Sequence, residues 1–190
     1  MFLHGCGFRL KGTTPLPFQQ LYTNISKHSA FGAELQRILK ADSPNLQFVN
    51  DREQAQASLI QLENRRRTRE VSLDPQGNVE EYQLNIYFRF ELLDEHRRHI
   101  IPATSLTVSR FLPNDPDSVQ AKESERAQLY ASMERDLIER IARRLTAPDV
   151  TKRFEELVTE EPQSETETKL EEAILPDDEY EEEFLPVFNF

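Results

Sequence analysis

The residues of this chain most suited to binding chemistry form the run Arg65-Arg66-Arg67-Thr68-Arg69. Alternate side chains of a β-strand point to opposite faces, so Arg65, Arg67 and Arg69 would share one face of a sheet. Each guanidinium group can donate two parallel hydrogen bonds to a phosphate or a carboxylate. The run therefore predicts a surface for an anionic ligand, either nucleic acid or an anionic lipid headgroup. A solvated face paired with glutamates of the C-terminal tail is the alternative.

The second candidate is Cys6, the only cysteine of the chain, which excludes an internal disulfide and a cysteine zinc site. Leu3 and the small residue Gly5 precede it at the positions they have before the lipid-modified cysteine of bacterial lipoproteins, although His4 departs from the small or apolar residue expected between them. In such proteins the thiol receives a diacylglyceryl group and becomes the new N-terminus. We therefore expect Cys6 to be a lipid attachment site and residues 1–5 to be the remnant of a signal peptide. A small buried thiol is the alternative.

Catalytic and metal-binding motifs are missing from the sequence. It contains no glycine-rich phosphate loop, no serine nucleophile elbow and no metalloprotease helix. His96 and His99 lie in the segment EHRRH between two predicted strands, where a cation would meet arginine rather than further ligands. We expect no catalytic residue, no metal, no cofactor and no enzymatic activity.

Charge divides the chain into two parts. From Glu155 to the C-terminus there are 14 acidic residues and one basic residue, Lys169, whereas the residues before them are nearly neutral. Such a density of like charge with few apolar residues predicts disorder for residues 149–190. The C-terminal cluster of Phe184, Leu185, Val187, Phe188 and Phe190 is a candidate docking segment, and a loose tail without a partner is the alternative.

Hydrophobic periodicity predicts the elements of the folded part. The clearest is a strand over residues 81–93, in which apolar and polar residues alternate. Further strands are predicted at 17–26, 45–50, 57–73 and 100–112. Pro102 indicates that the last of them lies at a sheet edge or begins near this residue. Helices are predicted from an N-cap at Ser29 to Asp42 and from 117 to 145. The order predicts a two-layer α+β fold, with two helices on one face of a small mixed sheet.

Three segments in sequence carry a family resemblance: CGFRLKGTTPLP, GNVEEYQLNIYFRFELL and SRFLPNDPDSVQAKESERAQLYASMERDLIERIARRL. Together they resemble the mature start, the central strand and the long C-terminal helix of the lipopolysaccharide-assembly lipoprotein family LptE. The resemblance covers Cys6 to about Pro148. It implies the same α+β fold, with residues 6–148 as one domain anchored at Cys6.

The resemblance also implies a non-enzymatic function at the outer membrane. Members of the family plug the lumen of the LptD β-barrel, help it to fold and bind lipopolysaccharide, while their acyl chains hold them on the inner leaflet. Of the two basic family residues implicated in lipopolysaccharide binding, one aligns with Lys122 and the other with Pro75, which has no charge. We therefore expect Arg67 and Arg69, on the preceding strand, to substitute for the missing loop charge.

Two alternatives remain at this point. The first is an envelope adaptor lipoprotein of similar fold that binds another protein and no glycolipid. The second is an anion-binding or RNA-binding module that uses Arg65–Arg69. The near-neutral body before Glu155 lacks the broad basic surface typical of nucleic-acid binding, so we expect no nucleic-acid partner.

Overall fold

The computed structural model of the chain describes residues 15–114 and 119–160, without the side chains of 119–121. Five strands and three α-helices follow one another in these residues. Their bounds are β1 Gln20–Thr23, α1 Ala30–Asp42, β2 Gln47–Val49, β3 Ala57–Leu73, β4 Val79–Asp94, β5 His99–Pro113, α2 Val119–Leu145 and α3 Pro148–Thr159, with a 3-10 turn at Arg52–Gln54 before β3. None of these helices is long and apolar enough to cross a membrane.

The five strands form one mixed sheet in the order β2-β1-β3-β4-β5. β1 pairs in parallel with β2 and β3, whereas β3, β4 and β5 are antiparallel. The pairing of β1 with β3 ends at Thr23 and Leu59. Asn24 then pairs through its side chain, because its Nδ2 donates to the Gln61 carbonyl at 3.0 Å and its Oδ1 accepts from the Gln61 N–H at 2.8 Å. Beyond Gln61, β3 continues as one strand of a long hairpin with β4.

The core lies between one face of the sheet and the helices. β4 contributes every second residue from Leu84 to Leu92, and all of them are fully buried, as the alternation predicts. Helices α1 and α2 pack against them through apolar residues at helical spacing. The main helical contributors are Phe31, Leu35, Leu39, Met133, Leu137, Ile138, Ile141 and Leu145. The predicted two-layer α+β architecture with a mixed sheet is confirmed.

A third helix corrects the predicted end of the folded domain. The sequence prediction ends the domain at Pro148 and begins the disordered tail at residue 149, but α3 occupies Pro148–Thr159. Val150 and Leu157 of α3 are buried, and the Phe154 ring packs edge-on against Phe18 with centroids 5.6 Å apart. The acidic average of the C-terminal part conceals this short apolar stripe. The predicted boundary at Pro148 is therefore too early, because helix α3 extends to Thr159. Residues 161–190 lie outside the described part of the chain.

The loop between β1 and α1 is held by local contacts. Ser29 is the N-cap of α1, as predicted, and its Oγ accepts from the Gly32 N–H at 3.0 Å. Its own N–H and hydroxyl both donate to the Ser26 carbonyl. A Cβ on Gly32 would lie 2.2 Å from that same carbonyl oxygen, so this close approach requires glycine. The loop is thereby fixed against the start of α1.

β5 is one of the two edge strands of the sheet, and it contains Pro102. Two arginines donate hydrogen bonds to backbone carbonyls of this strand. Arg140 of α2 donates to the Thr107 carbonyl at 3.3 Å, and Arg110 donates to the Ser109 carbonyl at 2.9 Å. Because exposed strand edges invite pairing with other chains, these contacts protect part of the β5 edge.

A candidate anion-binding face of the sheet

The face of β3, β4 and β5 turned away from the helices carries the alternate arginines of the basic run. Strand register places Arg65 opposite Tyr87, and Arg67 and Arg69 lie opposite the next two polar residues of β4, Asn85 and Gln83. These β4 residues alternate with the buried core residues, so they point away from the helices. The three arginines therefore share one face, as the sequence predicts. We call this surface the open face.

The three arginines of the open face differ in their contacts. Arg65 Nε lies 3.0 Å from Glu63 Oε1, and its guanidinium is 5.3 Å from the centre of the Tyr87 ring. Arg69 Nε donates to Gln83 Oε1 at 2.7 Å. Arg67, between them, forms no hydrogen bond or ion pair with any residue that the structure describes. Two of the guanidinium groups are thus held in place, while the middle one is available to a ligand.

β4 and β5 extend this surface with residues that the sequence analysis did not single out. Arg89 is exposed, and its cross-strand neighbour Glu63 pairs with Arg65 instead. The buried amide of Asn85 accepts a hydrogen bond from the Ser109 hydroxyl at 2.7 Å. Phe111 is 56% exposed and lies opposite Gln83. Only the cross-strand register brings these residues beside the arginines, so β3 alone could not reveal them.

Arg66 lies on the other side of the sheet from its two neighbours in sequence. Its guanidinium is 4.8 Å from the centre of the Tyr130 ring, and its Nη2 lies 2.5 Å from Glu134 Oε1. Thr68 lies on the same side of the sheet as Arg66, and its hydroxyl is 3.2 Å from the Tyr130 hydroxyl. These two residues therefore attach the hairpin to α2, and the basic run combines a structural role with an exposed one.

Lys122 also lies on the helix side. Its Nζ is 4.6 Å from the centre of the Tyr82 ring and donates to Asn114 Oδ1. Tyr82 packs against the core, whereas the next residue, Gln83, faces the opposite way and holds Arg69. The structure thus places Lys122 and the pair Arg67 and Arg69 on opposite sides of the sheet. It does not bring these three predicted site residues together.

The turn between β3 and β4 contains Pro75, the residue for which the resemblance implied a basic counterpart in the family. The Asp74 carboxylate closes this turn by accepting from the Gln76 N–H at 2.9 Å and the Asn78 N–H at 2.7 Å. Asn78 also donates from its side chain at 2.9 Å, which is the largest cause that lowers the pKa of Asp74. Gly77 supplies the positive φ of 87° that the turn needs. The tip is therefore organised around a carboxylate rather than a cation.

Metal ligands do not cluster in the part of the chain that the structure describes. No group of three or more His, Cys, Asp or Glu residues there could hold a metal ion. His99 Nδ1 lies 3.7 Å from Glu91 Oε2, and His96 is exposed near the β4–β5 turn. The predicted lipid attachment site Cys6 and the aromatic cluster at 184–190 lie outside the described residues.

The family model LptE, described as lipopolysaccharide-assembly, matches residues 18–145. The chain belongs to the LptE family. This match includes all of β1 to β5, α1 and α2, and therefore the whole open face and Lys122. A comparison with curated proteins gives no match.

Solved structures that are similar to the chain include three lipoproteins. An uncharacterized lipoprotein B from Nitrosomonas europaea has 28% identity and a TM-score of 0.63, and the match covers 74% of this chain and 91% of that one. The rare lipoprotein B from Shewanella oneidensis has 19% identity and a TM-score of 0.55, with coverage of 80% and 99%. A minor lipoprotein from Acinetobacter baumannii has 23% identity and a TM-score of 0.56, with coverage of 70% and 93%. The last two, which are less than 25% identical to the chain, support its fold alone. The role in lipopolysaccharide assembly follows from the family match.

Proposed function

We propose that this chain is an outer-membrane lipoprotein that binds lipopolysaccharide and assembles with the LptD β-barrel, whose lumen it plugs. Cys6 would carry the acyl chains that anchor it to the inner leaflet. Membership of the LptE family supports the role in lipopolysaccharide assembly. The proposal is non-enzymatic, since binding and positioning account for the whole function.

The observation that carries the glycolipid part is the unpaired Arg67 between two arginines on the open face. Lipopolysaccharide bears phosphate groups, and guanidinium forks bind such groups with two hydrogen bonds each. The contacts of Arg65 with Glu63 and of Arg69 with Gln83 orient the neighbouring guanidinium groups before a ligand arrives. A preorganised row loses less side-chain entropy on binding than free arginines would.

Lys122 provides a second, separate cation in this proposal. Lys122 contacts the ring of Tyr82 on the helix side of the sheet. The next residue of β4, Gln83, contacts Arg69 on the open face, so the sheet separates the two cations. A ligand with several phosphate groups would contact one of these sides at a time or pass around the free edge of β3. We therefore propose Arg67 and Arg69 as one binding element and Lys122 as another, rather than a single pocket.

The test compares two arginine pairs of equal charge. Arg67→Gln with Arg69→Gln is expected to weaken binding of purified lipopolysaccharide by about tenfold or more, because hydrogen bonds to charged groups contribute about 1.5–3 kcal/mol each. The matched control is Arg143→Gln with Arg153→Gln on α2 and α3, which lowers net charge equally and should leave the affinity within about twofold.

Three outcomes would contradict parts of this proposal. Unchanged affinity in the Arg67 and Arg69 variant would exclude the open face as the glycolipid site. Equal losses in both variants would mean that only total charge matters. Failure of the full chain to co-purify with a co-expressed LptD barrel would favour an adaptor for another envelope protein. Each variant is also measured with Lys122→Gln added, which separates the two binding elements.

A further inference from the structure

An open depression of about 600 Å³ lies where β1 and β2 end, far from the open face. One wall is the end of β1 with the loop that follows, residues 22–28, and another is residues 48–50 at the end of β2. Gln36 and Lys40 of α1 form the third wall. The two strands are parallel, and crevices beyond the carboxyl ends of parallel strands are common ligand sites in α/β sheets. The volume lies within the usual range for small-molecule sites.

The charged residues that line this depression are all basic. Its lining includes Lys27, His28 and Lys40 and not one acidic residue, although acidic residues outnumber basic ones 34 to 23 in the whole chain. Lys27 forms no ion pair with any of the described residues. The contact found for Lys40 is with an aromatic ring, since its Nζ lies 5.7 Å from the centre of Phe48. By contrast, Arg37 on the same helix is paired with Glu34.

The uncharged lining suits hydroxyl groups and the face of a ring. Asn24 is part of the rigid wall, because both polar atoms of its side chain are bonded to Gln61. The side-chain amides of Gln36 and Asn50 have no such bond within the described part of the chain and face the depression as donors and acceptors. The ring of Phe48 packs partly against the core, and the part of it that lines the depression beside Lys40 offers an apolar surface for the C–H groups of a sugar ring.

We propose that this depression binds an acidic sugar, one that carries a phosphate or a carboxylate. Lys27 and Lys40 contact the acidic group, the amides of Gln36 and Asn50 contact hydroxyls, and Phe48 packs against the sugar ring. The site is independent of the open face. Arg67 lies six residues beyond Gln61 along β3, about 20 Å at the rise of a strand.

The test is an NMR titration of the full-length 15N-labelled chain with glucose 6-phosphate, glucuronate, inorganic phosphate and glucose. We expect saturable shifts of the backbone amides of residues 22–28 and 47–50 with the first two compounds. Glucose should cause none, and inorganic phosphate should bind more weakly than glucose 6-phosphate. Shifts of residues 22–28 and 47–50 that do not saturate, or shifts found only outside these residues, would overturn the site. Inorganic phosphate binding as tightly as the sugar phosphate would overturn the assignment to a sugar.

Variants separate this site from the proposed glycolipid site. Lys27→Gln with Lys40→Gln should weaken glucose 6-phosphate by about tenfold, and both residues are exposed, so the folded spectrum should persist. Lys152→Gln on α3 and the variant Arg67→Gln with Arg69→Gln should leave that affinity unchanged. Unaltered binding in the Lys27 and Lys40 variant would contradict the inference, whatever the result for lipopolysaccharide.

Discussion

The two faces of the β3–β4–β5 sheet are built from the same strands and differ in almost every physical property. On the helix side, alternate residues of β4 such as Phe88 are excluded from water. On the open face, the intervening residues are Gln83, Asn85, Tyr87 and Arg89, and all of them except Asn85 remain at least partly exposed. One strand therefore supplies most of its apolar side chains to the core and its polar side chains to the proposed binding surface. The comparison predicts that neighbouring residues will respond very differently to substitution.

The largest expected difference is between Phe88 and Tyr87. Phe88 is 1% exposed and packs against Phe31 and Phe90 at centroid distances of 5.4 and 6.0 Å. Phe88→Ala should lower the free energy of unfolding by about 3–5 kcal/mol through lost burial and the cavity that remains. Tyr87→Ala should cost about 1 kcal/mol or less, since its ring contacts a solvated arginine. Urea unfolding followed by circular dichroism measures both, and similar losses would contradict the assignment of the faces.

A smaller difference is expected between Arg66 and Arg67. Arg66→Ala removes the contacts with Tyr130 and Glu134, which are partly exposed, so the free energy of unfolding should fall by about 0.5–1 kcal/mol. Arg67→Ala should leave unfolding unchanged and weaken lipopolysaccharide binding. Both variants are measured by urea unfolding and by lipopolysaccharide binding. A loss of stability in Arg67→Ala, or a loss of binding in Arg66→Ala alone, would contradict the structural role of Arg66 and the binding role of Arg67.

The smallest effect is expected at the turn where β3 and β4 meet. Hydrogen bonds from the Asn78 side chain and from backbone N–H groups lower the pKa of Asp74 in the folded state. A lowered pKa means that its stabilising contribution is complete above pH about 4 and is lost as the pH falls through the lowered pKa.

An NMR titration of the Asp74 carboxyl and of the amides of Gln76 and Asn78 tests this prediction. The amide shifts should change at a pH below the ordinary range for aspartate, and Asp74→Asn should abolish that transition. A midpoint at the ordinary value would show that the turn does not hold the carboxylate.

Local pattern determined much of this fold. The alternation over residues 81–93 predicted β4 and its buried face because side chains of a strand have a period of two. Ser29 as an N-cap and Pro102 at an edge strand followed from equally local rules. The shared face of Arg65, Arg67 and Arg69 has the same origin. Each of these predictions depended only on the types and spacing of a few neighbouring residues.

The structure decided what depends on contacts between distant segments. Helix α3 was missed because burial of Val150 and Leu157, rather than the charge of the C-terminal part, determines its order. Arg89 and Asn85 joined the candidate site through cross-strand register. Lys122 was separated from Arg69 because the packing of Tyr82 places α2 on the opposite side of the sheet. Sequence periodicity therefore determined the two faces of each strand, whereas pairing and helix packing decided which residues meet on them.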